Sequence, residues 1–283
     1  NKSTRTVDTP HRTKPIYYAQ GIAVTRDGTT FSIDTGETFL THFRAESVSR
    51  GGSTIALVGK NQTKLFEFIK KPICSCLQFQ PPEPFTSSIF VIEDLLLFAS
   101  GSNIYSFDMT NVTKFATLHN AKTIIKILNS AALITVVYIS NEGVKRIQTL
   151  VAGANKRDEE GIDAATDTKK QTWILEKNRI VAVRKSLLSI EEVKIIDLPE
   201  DHNYDSIFRM RDSVALYSSE EGTAAFIKND KFIQFRLPRN AIIFAWPAIC
   251  TAKGIFIYKK ENESLRNSNQ FEEIDSFDFG CIP

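Results

Sequence analysis

Short runs of β-branched and aromatic residues alternate with tight polar turns along most of the chain. Seven times, one such run leads through a turn into a second run, which is the pattern of a β-hairpin. The paired runs are 22–24 with 30–33, 54–58 with 65–69, 95–98 with 104–107, 133–138 with 144–147, 180–183 with 187–190, 214–217 with 224–227, and 248–250 with 255–258. The sequence therefore predicts a protein built mainly from β-hairpins.

The hairpins recur at a nearly regular interval. The equivalent points are Val24, Leu57, Leu97, Val136, Val183, Leu216 and Cys250, with gaps of 33, 40, 39, 47, 33 and 34 residues. A four-stranded propeller blade takes roughly 40 residues, and its inner strands are buried on both faces. We therefore predict an all-β fold, a single β-propeller with seven blades of a divergent WD40-like type. The alternatives are a pair of β-sandwiches and a mixed α+β domain, since the spacing in 120–130 fits a helix as well as an edge strand.

The hairpin pattern also sets the expected domain limits. Residues 1–16 form a polar N-terminal arm, and the propeller is predicted over 17–283. A mobile charged loop is predicted at about 152–170, because NKRDEEGIDAATDTKK is dense in charge and poor in large apolar residues. Because the sequence opens on Asn1 rather than Met, we expect it to be one domain of a longer chain.

The composition is that of an ordinary globular protein. Of 283 residues, 42% are hydrophobic and 24% are charged, which excludes a disordered or collagen-like chain. Lys and Arg number 35 against 33 Asp and Glu, so the net charge of +2 does not indicate binding of nucleic acid or an anionic membrane by the chain as a whole. Size and composition thus leave the function open.

Cysteine usage favours a reducing compartment. Four cysteines are too few for a disulfide scaffold, and Cys74 and Cys76 are too close together for the usual zinc motif. N-glycosylation triplets begin at Asn1, Asn61, Asn111 and Asn262 and keep a secreted protein as the alternative. The longest apolar run, 131–139, is far shorter than the roughly 20 residues of a membrane-spanning helix.

No recognisable catalytic spacing is present. Gly52 and Gly59-Lys60 lack the spacing of a phosphate-binding loop. Asp201 and His202 are unsuited to act as a catalytic pair, in which a carboxylate orients a histidine base. Neighbours in sequence on one loop are badly placed to hydrogen-bond to each other. The histidines are scattered and are expected at surface or turn positions, at His11, His42, His119 and His202. Trp173 and Trp246 are expected in the core. The sequence thus predicts no enzyme, no catalytic, cofactor-binding or metal-binding residue and no cofactor, and it assigns no partner-binding residue.

Several segments follow one another in an order that resembles a known family. Residues 92–128 contain S-N-I-Y-S-F-D at 102–108, followed by a run that includes Lys126. A strand RIVAVRK follows at 179–185, a Leu-Pro pair at 198–199, and a closing segment that begins with Leu237-Pro238. This order is similar to that of citron-homology (CNH) propellers, and most of all to the N-terminal propellers of the Rab-interacting subunits of the HOPS and CORVET tethering complexes. The resemblance covers about residues 90–260, with Ala248 where the family often has Tyr.

The resemblance implies a function for the chain. It implies a membrane-tethering subunit that binds a Rab-type small GTPase and other tether subunits in endosome and vacuole fusion and vesicle transport. Such a subunit is cytoplasmic and peripheral on vacuole, lysosome or endosome membranes, which it reaches through its partners. The alternatives are another propeller scaffold, in a coat, the nuclear pore or ribosome assembly, and an enzyme with a dispersed site on the propeller face. Clustering of His119 and His202 with carboxylates would favour the enzyme.

Overall fold

The computed structural model describes residues 15–19, 22–32, 38–40, 44–51, 54–59, 63–67, 71–77, 83–92, 95–108, 110–151, 154–187, 189–200, 203–245, 248–251, 254–258 and 273–277. These residues form twenty-eight strands and no helix. The strands make seven four-stranded antiparallel sheets, in which each strand pairs with its neighbours in sequence. The all-β prediction is confirmed, and the mixed α+β alternative is wrong for the described part of the chain. None of these residues belongs to a helix that could cross a membrane.

Four of the sheets belong to one compact unit, formed by residues 42–166 and 170–197. Sheet 2 contains β5 (Ser47–Gly51), β6 (Thr54–Val58), β7 (Thr63–Glu67) and β8 (Lys71–Leu77); sheet 3 contains β9 (Phe85–Ile92), β10 (Leu95–Ser100), β11 (Asn103–Phe107) and β12 (Val112–Thr117). Sheet 4 contains β13 (Ala121–Ser130), β14 (Leu133–Ser140), β15 (Lys145–Val151) and β16 (Ala154–Glu160); sheet 5 contains β17 (Asp163–Thr166), β18 (Thr172–Leu175), β19 (Arg179–Ser186) and β20 (Ser189–Asp197).

The other three sheets belong to a second compact unit, which takes in residues 1–41, 167–169 and 198–283. Sheet 1 contains β1 (Pro15–Ala19), β2 (Ile22–Thr25), β3 (Thr29–Ser32) and β4 (Thr38–Leu40); sheet 6 contains β21 (Ser206–Met210), β22 (Ser213–Ser218), β23 (Thr223–Lys228) and β24 (Lys231–Arg236). Sheet 7 contains β25 (Ile242–Ala245), β26 (Ala248–Thr251), β27 (Gly254–Tyr258) and β28 (Glu273–Phe277).

In the four-sheet unit, the first strands of successive sheets lie next to each other. β5 contacts β9, β9 contacts β13, and β13 contacts β17. Side chains join these strands: the backbone N–H of Ile127 donates to Ser87 Oγ at 3.1 Å, and Lys126 Nζ donates to Asp163 Oδ1 at 2.9 Å and to Ala164 O at 2.7 Å. Polar side chains thus satisfy backbone groups where the sheets meet.

The second strand of a sheet is buried on both faces. On β14, Ile134 and Val136 pack into the core that sheet 4 shares with sheet 3, and Leu133 and Val137 pack into the core that it shares with sheet 5. A strand covered on both sides needs apolar residues at successive positions rather than at alternate ones. This requirement explains the continuous apolar runs from which the hairpins were predicted.

The hairpin predicted at 180–183 and 187–190 exists, but its place in the sheet differs from the prediction. Its strands are β19 and β20, the third and fourth strands of sheet 5, whereas the other six hairpins join second and third strands. The second strand of sheet 5 is β18, so Ile174 replaces Val183 as the equivalent point. The gaps from Val136 to Ile174 and from Ile174 to Leu216 are then 38 and 42 residues, which removes the largest irregularity in the repeat.

The mobile charged loop predicted at about 152–170 is wrong for most of that segment. Residues 154–160 form β16 and 163–166 form β17. The charges of β16 are compatible with a strand because Arg157 and Glu159 pair with each other, and Asp158 pairs with Arg146 on β15. The segment at 120–130 is a strand rather than a helix. Of the arm predicted at 1–16, residues 1–14 lie outside the described part of the chain, and β1 already begins at Pro15.

Candidate functional site

A cleft of about 440 Å³ opens at one end of sheets 4 and 5. We call it the 4/5 cleft. It is lined by Lys145, Glu160, Gly161, Ile162, Glu176, Lys177, Asn178 and Arg179. These residues come from strand ends, from the connection between β16 and β17, and from the turn between β18 and β19. The cleft therefore belongs to loops held in place by two packed sheets, an arrangement that binding sites commonly use.

Backbone hydrogen bonds hold the walls of the cleft. The N–H of Gly161 donates to Lys145 O at 3.3 Å, the N–H of Ile162 to Leu175 O at 2.7 Å, and the N–H of Glu176 to Arg179 O at 2.9 Å. Gly161 allows close packing, because a Cβ at this position would lie 2.5 Å from Ile147 Cδ1 and would force that buried side chain to shift. The connection from sheet 4 to sheet 5 can thus lie directly against the core.

Beside the cleft, a network of ion pairs crosses from sheet 4 to sheet 5. Arg157 on β16 donates to the two carboxylate oxygens of Glu159 at 2.6 and 2.7 Å and also pairs with Glu192 on β20. Its guanidinium lies 3.7 Å from Glu176 Oε1, and Arg179 Nε donates to Glu176 Oε2 at 2.5 Å. Glu176 thus lies between two arginines and connects the network to the cleft wall.

Burial and charge act on this network in opposite directions. Burial raises the pKa of the Glu159 carboxyl, and the hydrogen bonds and charge of Arg157 oppose that rise. Burial disfavours the charged form of Arg157, but Glu159 and the other two carboxylates hold the pKa of Arg157 above its usual range. The hydrogen bond to Glu176 raises the pKa of Arg179. The ion pairs of Arg157 with Glu176 and Glu192 join sheet 4 to sheet 5.

The rim of the cleft carries lysines outside this network. Lys145 and Lys177 are exposed, and the structure records no ion pair for either among the described residues. Arg179 and Glu176 neutralise each other, and Glu160 is the one other acid in the lining. Unpaired cations on rigid loops attract the carboxylates of another molecule. The cleft is thus suited to binding acidic side chains.

The residues singled out from the sequence do not converge on a site. His119 is exposed in the turn before β13, as expected for a surface or turn residue. Trp173 is 4% exposed on β18, which confirms that it is a core residue. The other candidates lie outside the described residues, namely His11, His42, Asp201, His202 and Trp246. The described part of the chain holds no group of three His, Cys, Asp or Glu side chains that could bind a metal ion.

Sequence reasoning missed the 4/5 cleft because its residues carry no motif. The cleft exists only where two hairpin turns and one connection meet, and these are up to 34 residues apart along the chain, from Lys145 to Arg179. The one usable signal was the charge density of 157–160. A dense run of charges predicts a solvated loop. It does not indicate a strand such as β16, whose Arg157 pairs with Glu192 on β20 of the next sheet.

Solved structures share this fold across nearly the whole chain. One is the WD40 repeats of RRP9, with a TM-score of 0.61 and 8% identity over 96% of this chain and 95% of that chain. A second is KlAtg21 in complex with the coiled-coil of AgAtg16, with a TM-score of 0.61 and 12% identity over 89% of this chain and 96% of that one. A third is the virginiamycin B lyase of Staphylococcus aureus, with a TM-score of 0.55 and 15% identity over 90% and 84%.

These likenesses define the class of fold, a β-propeller built from four-stranded antiparallel sheets. The propeller predicted from the hairpin repeat is thereby confirmed, and its neighbours include WD40 propellers. No protein-family model and no curated protein matches the sequence. At identities of 8 to 15% the structural likeness shows the fold alone.

Proposed function

We propose that this protein is a non-enzymatic propeller that binds other proteins, and that the 4/5 cleft is part of its binding surface. The observation that carries the proposal is the pair of exposed lysines at the rim of an open cleft, Lys145 at the start of β15 and Lys177 in the turn between β18 and β19. Rigid loops bind a partner without a large ordering cost, and charged rims guide the partner and select it. The partner surface that fits this cleft carries Asp or Glu side chains.

The specific form of the proposal is a subunit of a membrane-tethering complex of the HOPS or CORVET kind. Its support is the order of segments over about residues 90–260 that resembles CNH propellers. In this form the protein binds a Rab-type small GTPase and other tether subunits, and it is cytoplasmic and peripheral on endosome, lysosome or vacuole membranes. A scaffold of a coat, the nuclear pore or ribosome assembly would have the same fold and no GTPase binding.

The test is retention of small GTPases on the immobilised 283-residue chain. A panel of Rab-type GTPases is loaded with GDP or with a non-hydrolysable GTP analogue, at near-physiological salt so that weak charge attraction is screened. We expect selective retention of one GTP-loaded endosomal or vacuolar GTPase. Retention of none would contradict the tethering form and would favour another kind of scaffold.

Charge reversal at the rim tests the cleft itself. The double variant Lys145→Glu/Lys177→Glu is expected to weaken binding of the retained partner at least about tenfold, since two attractions become repulsions. The matched control is Lys228→Glu/Lys231→Glu, which reverses two exposed lysines of sheet 6. Equal weakening by both variants would show a general charge effect and would remove the cleft from the proposal.

A further inference from the structure

The hairpin turn between β19 and β20 presents a leucine to solvent. Leu187 is 90% exposed, the highest value among the large hydrophobic residues that the structure describes as exposed. Its neighbours Ser186 and Ser189 pair across the strands, so the loop has two residues, and Ser189 Oγ donates to Ser186 O at 3.0 Å. The leucine therefore lies at the tip of a closed hairpin, not on a frayed segment.

The backbone at this tip disfavours leucine. Leu187 has a φ of +47°, in the left-handed region that side chains other than those of Gly, Asn and Asp rarely adopt. Two-residue hairpin loops normally use Asn-Gly or Asp-Gly for this reason. Position 187 is leucine here, which suits neither the left-handed backbone nor exposure to solvent. A residue that is unfavourable on both grounds suggests that the tip serves a purpose other than stability.

Other hairpins of the chain show what the same geometry ordinarily takes. The loop between Lys228 and Lys231 is Asn229-Asp230, with φ values of +49° and +63°. The loop between Ser130 and Leu133 is Ala131-Ala132, with φ values of +47° and +66°. Polar or small residues occupy both of these tips. At its first position, the tip at Leu187 thus has the φ of these loops but a large apolar side chain.

Two exposed lysines lie at the same end of sheet 5 as the leucine tip. Lys185 is exposed two residues before Leu187, and Lys170 is exposed two residues before β18, at the same end of sheet 5. Thr172 and Val183 are the last recorded pair of β18 with β19, and Lys170 and Lys185 each lie two residues beyond that pair, towards the tip. Arg184 is paired with Glu191 at 3.1 Å, while the structure records no ion pair for Lys170 or Lys185 among the described residues.

We propose that this tip binds the surface of an anionic membrane directly. Leu187 enters the interface between headgroups and acyl chains, and Lys170 and Lys185 contact negatively charged headgroups. A projecting apolar residue with flanking lysines matches a bilayer, which is apolar below an anionic surface and needs no shaped pocket. One leucine and two lysines give weak, reversible binding, so the tip would add to attachment through protein partners. The inference does not rest on the proposed function, because vesicle binding is measured without any partner.

The test is sedimentation of the full chain with phospholipid vesicles. Vesicles of phosphatidylcholine with about 30 mol% phosphatidylserine are compared with pure phosphatidylcholine. We expect binding to the anionic vesicles that weakens as salt is raised. Leu187→Asn removes the apolar group while suiting the backbone, so it should lower the partition coefficient at least about tenfold without loss of thermal stability. Leu187→Phe should keep the binding.

Two further variants make the result specific. Lys170→Glu/Lys185→Glu should abolish the preference for anionic vesicles. Ala131→Asn changes a hairpin tip of the same φ in sheet 4 and should leave binding unchanged. Absence of wild-type binding to anionic vesicles, or equal binding by Leu187→Asn, would overturn the proposal. In the second case the leucine tip would be a surface for a protein partner, and GTPase retention would remain a separate question.

Discussion

Among single residues, Tyr138 connects the core of sheet 4 to its charged surface. The side chain is 1% exposed, and its hydroxyl donates to the Asp158 carboxylate, with 3.0 and 2.9 Å to the two oxygens. Arg146 Nε also donates to Asp158, at 3.0 Å. Burial and the neighbouring carboxylate raise the pKa of Tyr138 to about 12. The neutral phenol is thus strongly favoured in the folded protein.

This arrangement predicts loss of stability at alkaline pH. Because the folded pKa of Tyr138 lies above the ordinary value of 10.0, its contribution is complete below pH 10 and is lost as the pH rises towards about 12. Tyr138→Phe should lower stability at pH 7 by about 1 kcal/mol, for the lost hydrogen bond, and should flatten the fall above pH 10. Thermal unfolding at several pH values measures both effects. An unchanged alkaline slope in Tyr138→Phe would contradict the prediction.

The Arg157 network gives a second prediction at this scale. Arg157→Gln leaves the carboxylates Glu159, Glu176 and Glu192 without their shared cation, so we expect a loss of about 2 kcal/mol at pH 7, estimated for a partly buried pair. The loss should shrink at acid pH, because burial raises the pKa of Glu159 and a protonated Glu159 needs no cation. Urea unfolding at both pH values measures the difference.

The control for Arg157 is a surface pair in the same unit. Arg184 pairs with Glu191, and both side chains are about half exposed. Arg184→Gln should change stability by less than about 1 kcal/mol, since exposed ion pairs contribute little. If the two variants proved equally destabilising, the bridge from sheet 4 to sheet 5 would have no special role.

At the scale of elements, two glycines in tight turns differ in what a side chain would meet there. Both have a left-handed backbone, but only one lies against another part of the chain. Gly222, between β22 and β23, has a φ of +69°, and a Cβ there would lie 2.6 Å from Leu237 O. Gly143, between β14 and β15, has a φ of +82°, with no atom within 4 Å of the same position. The first position therefore combines backbone strain with a clash, while the second has strain alone.

Alanine substitution should separate the two effects. Gly143→Ala is expected to lower the free energy of unfolding by about 1 kcal/mol, the cost of a left-handed backbone for an alanine. Gly222→Ala should cost at least about 2 kcal/mol, because backbone oxygen cannot move aside as a flexible side chain can. Chemical denaturation measures both values. Equal losses would show that the Leu237 segment shifts at little cost.

The elements also show why the fold was predictable and the site was not. Strands such as β10 and β14 are buried on both faces, so their apolar runs are visible in the sequence whatever surrounds them. The second strand of sheet 5 has only four residues, TWIL. The longer apolar run of β19 beside it has the stronger strand pattern, so the sequence predicts the hairpin there instead. The 4/5 cleft depends on loops from different sheets, and its residues are individually unremarkable. The sequence therefore predicts elements and their repeat, while contacts between sheets need coordinates.

At the scale of the molecule, burial falls from the second strand to the fourth in sheets 3, 5 and 6, whose second and fourth strands the structure describes in full. Nearly every residue of β10, β14 and β22 is buried. In β12, β20 and β24 about half of the residues are exposed and almost all the others are half-buried. Backbone amides in buried central strands open only with larger unfolding events, whereas edge strands open locally.

Amide hydrogen exchange should reproduce this gradient. We expect the slowest amide exchange in the second and third strands, and exchange at least about tenfold faster in the fourth strands β12 and β20. Mass spectrometry of peptides that separate β10 from β12, and β14 from β20, provides the measurement. Uniform protection of all four strands would mean that each sheet opens only as a whole.

In each sheet every strand pairs with the strand that precedes or follows it in the chain. During synthesis, the ribosome thus releases the four strands of a sheet one after another, and none of their pairings has to wait for a distant part of the chain. Local pairings form quickly and leave few strand edges exposed to other nascent proteins. Contacts between successive sheets, such as those of Arg157 with Glu176 and Glu192, must wait until the next sheet has emerged. Because the strands pair in sequence order, the sheets can form in the order in which they are synthesised.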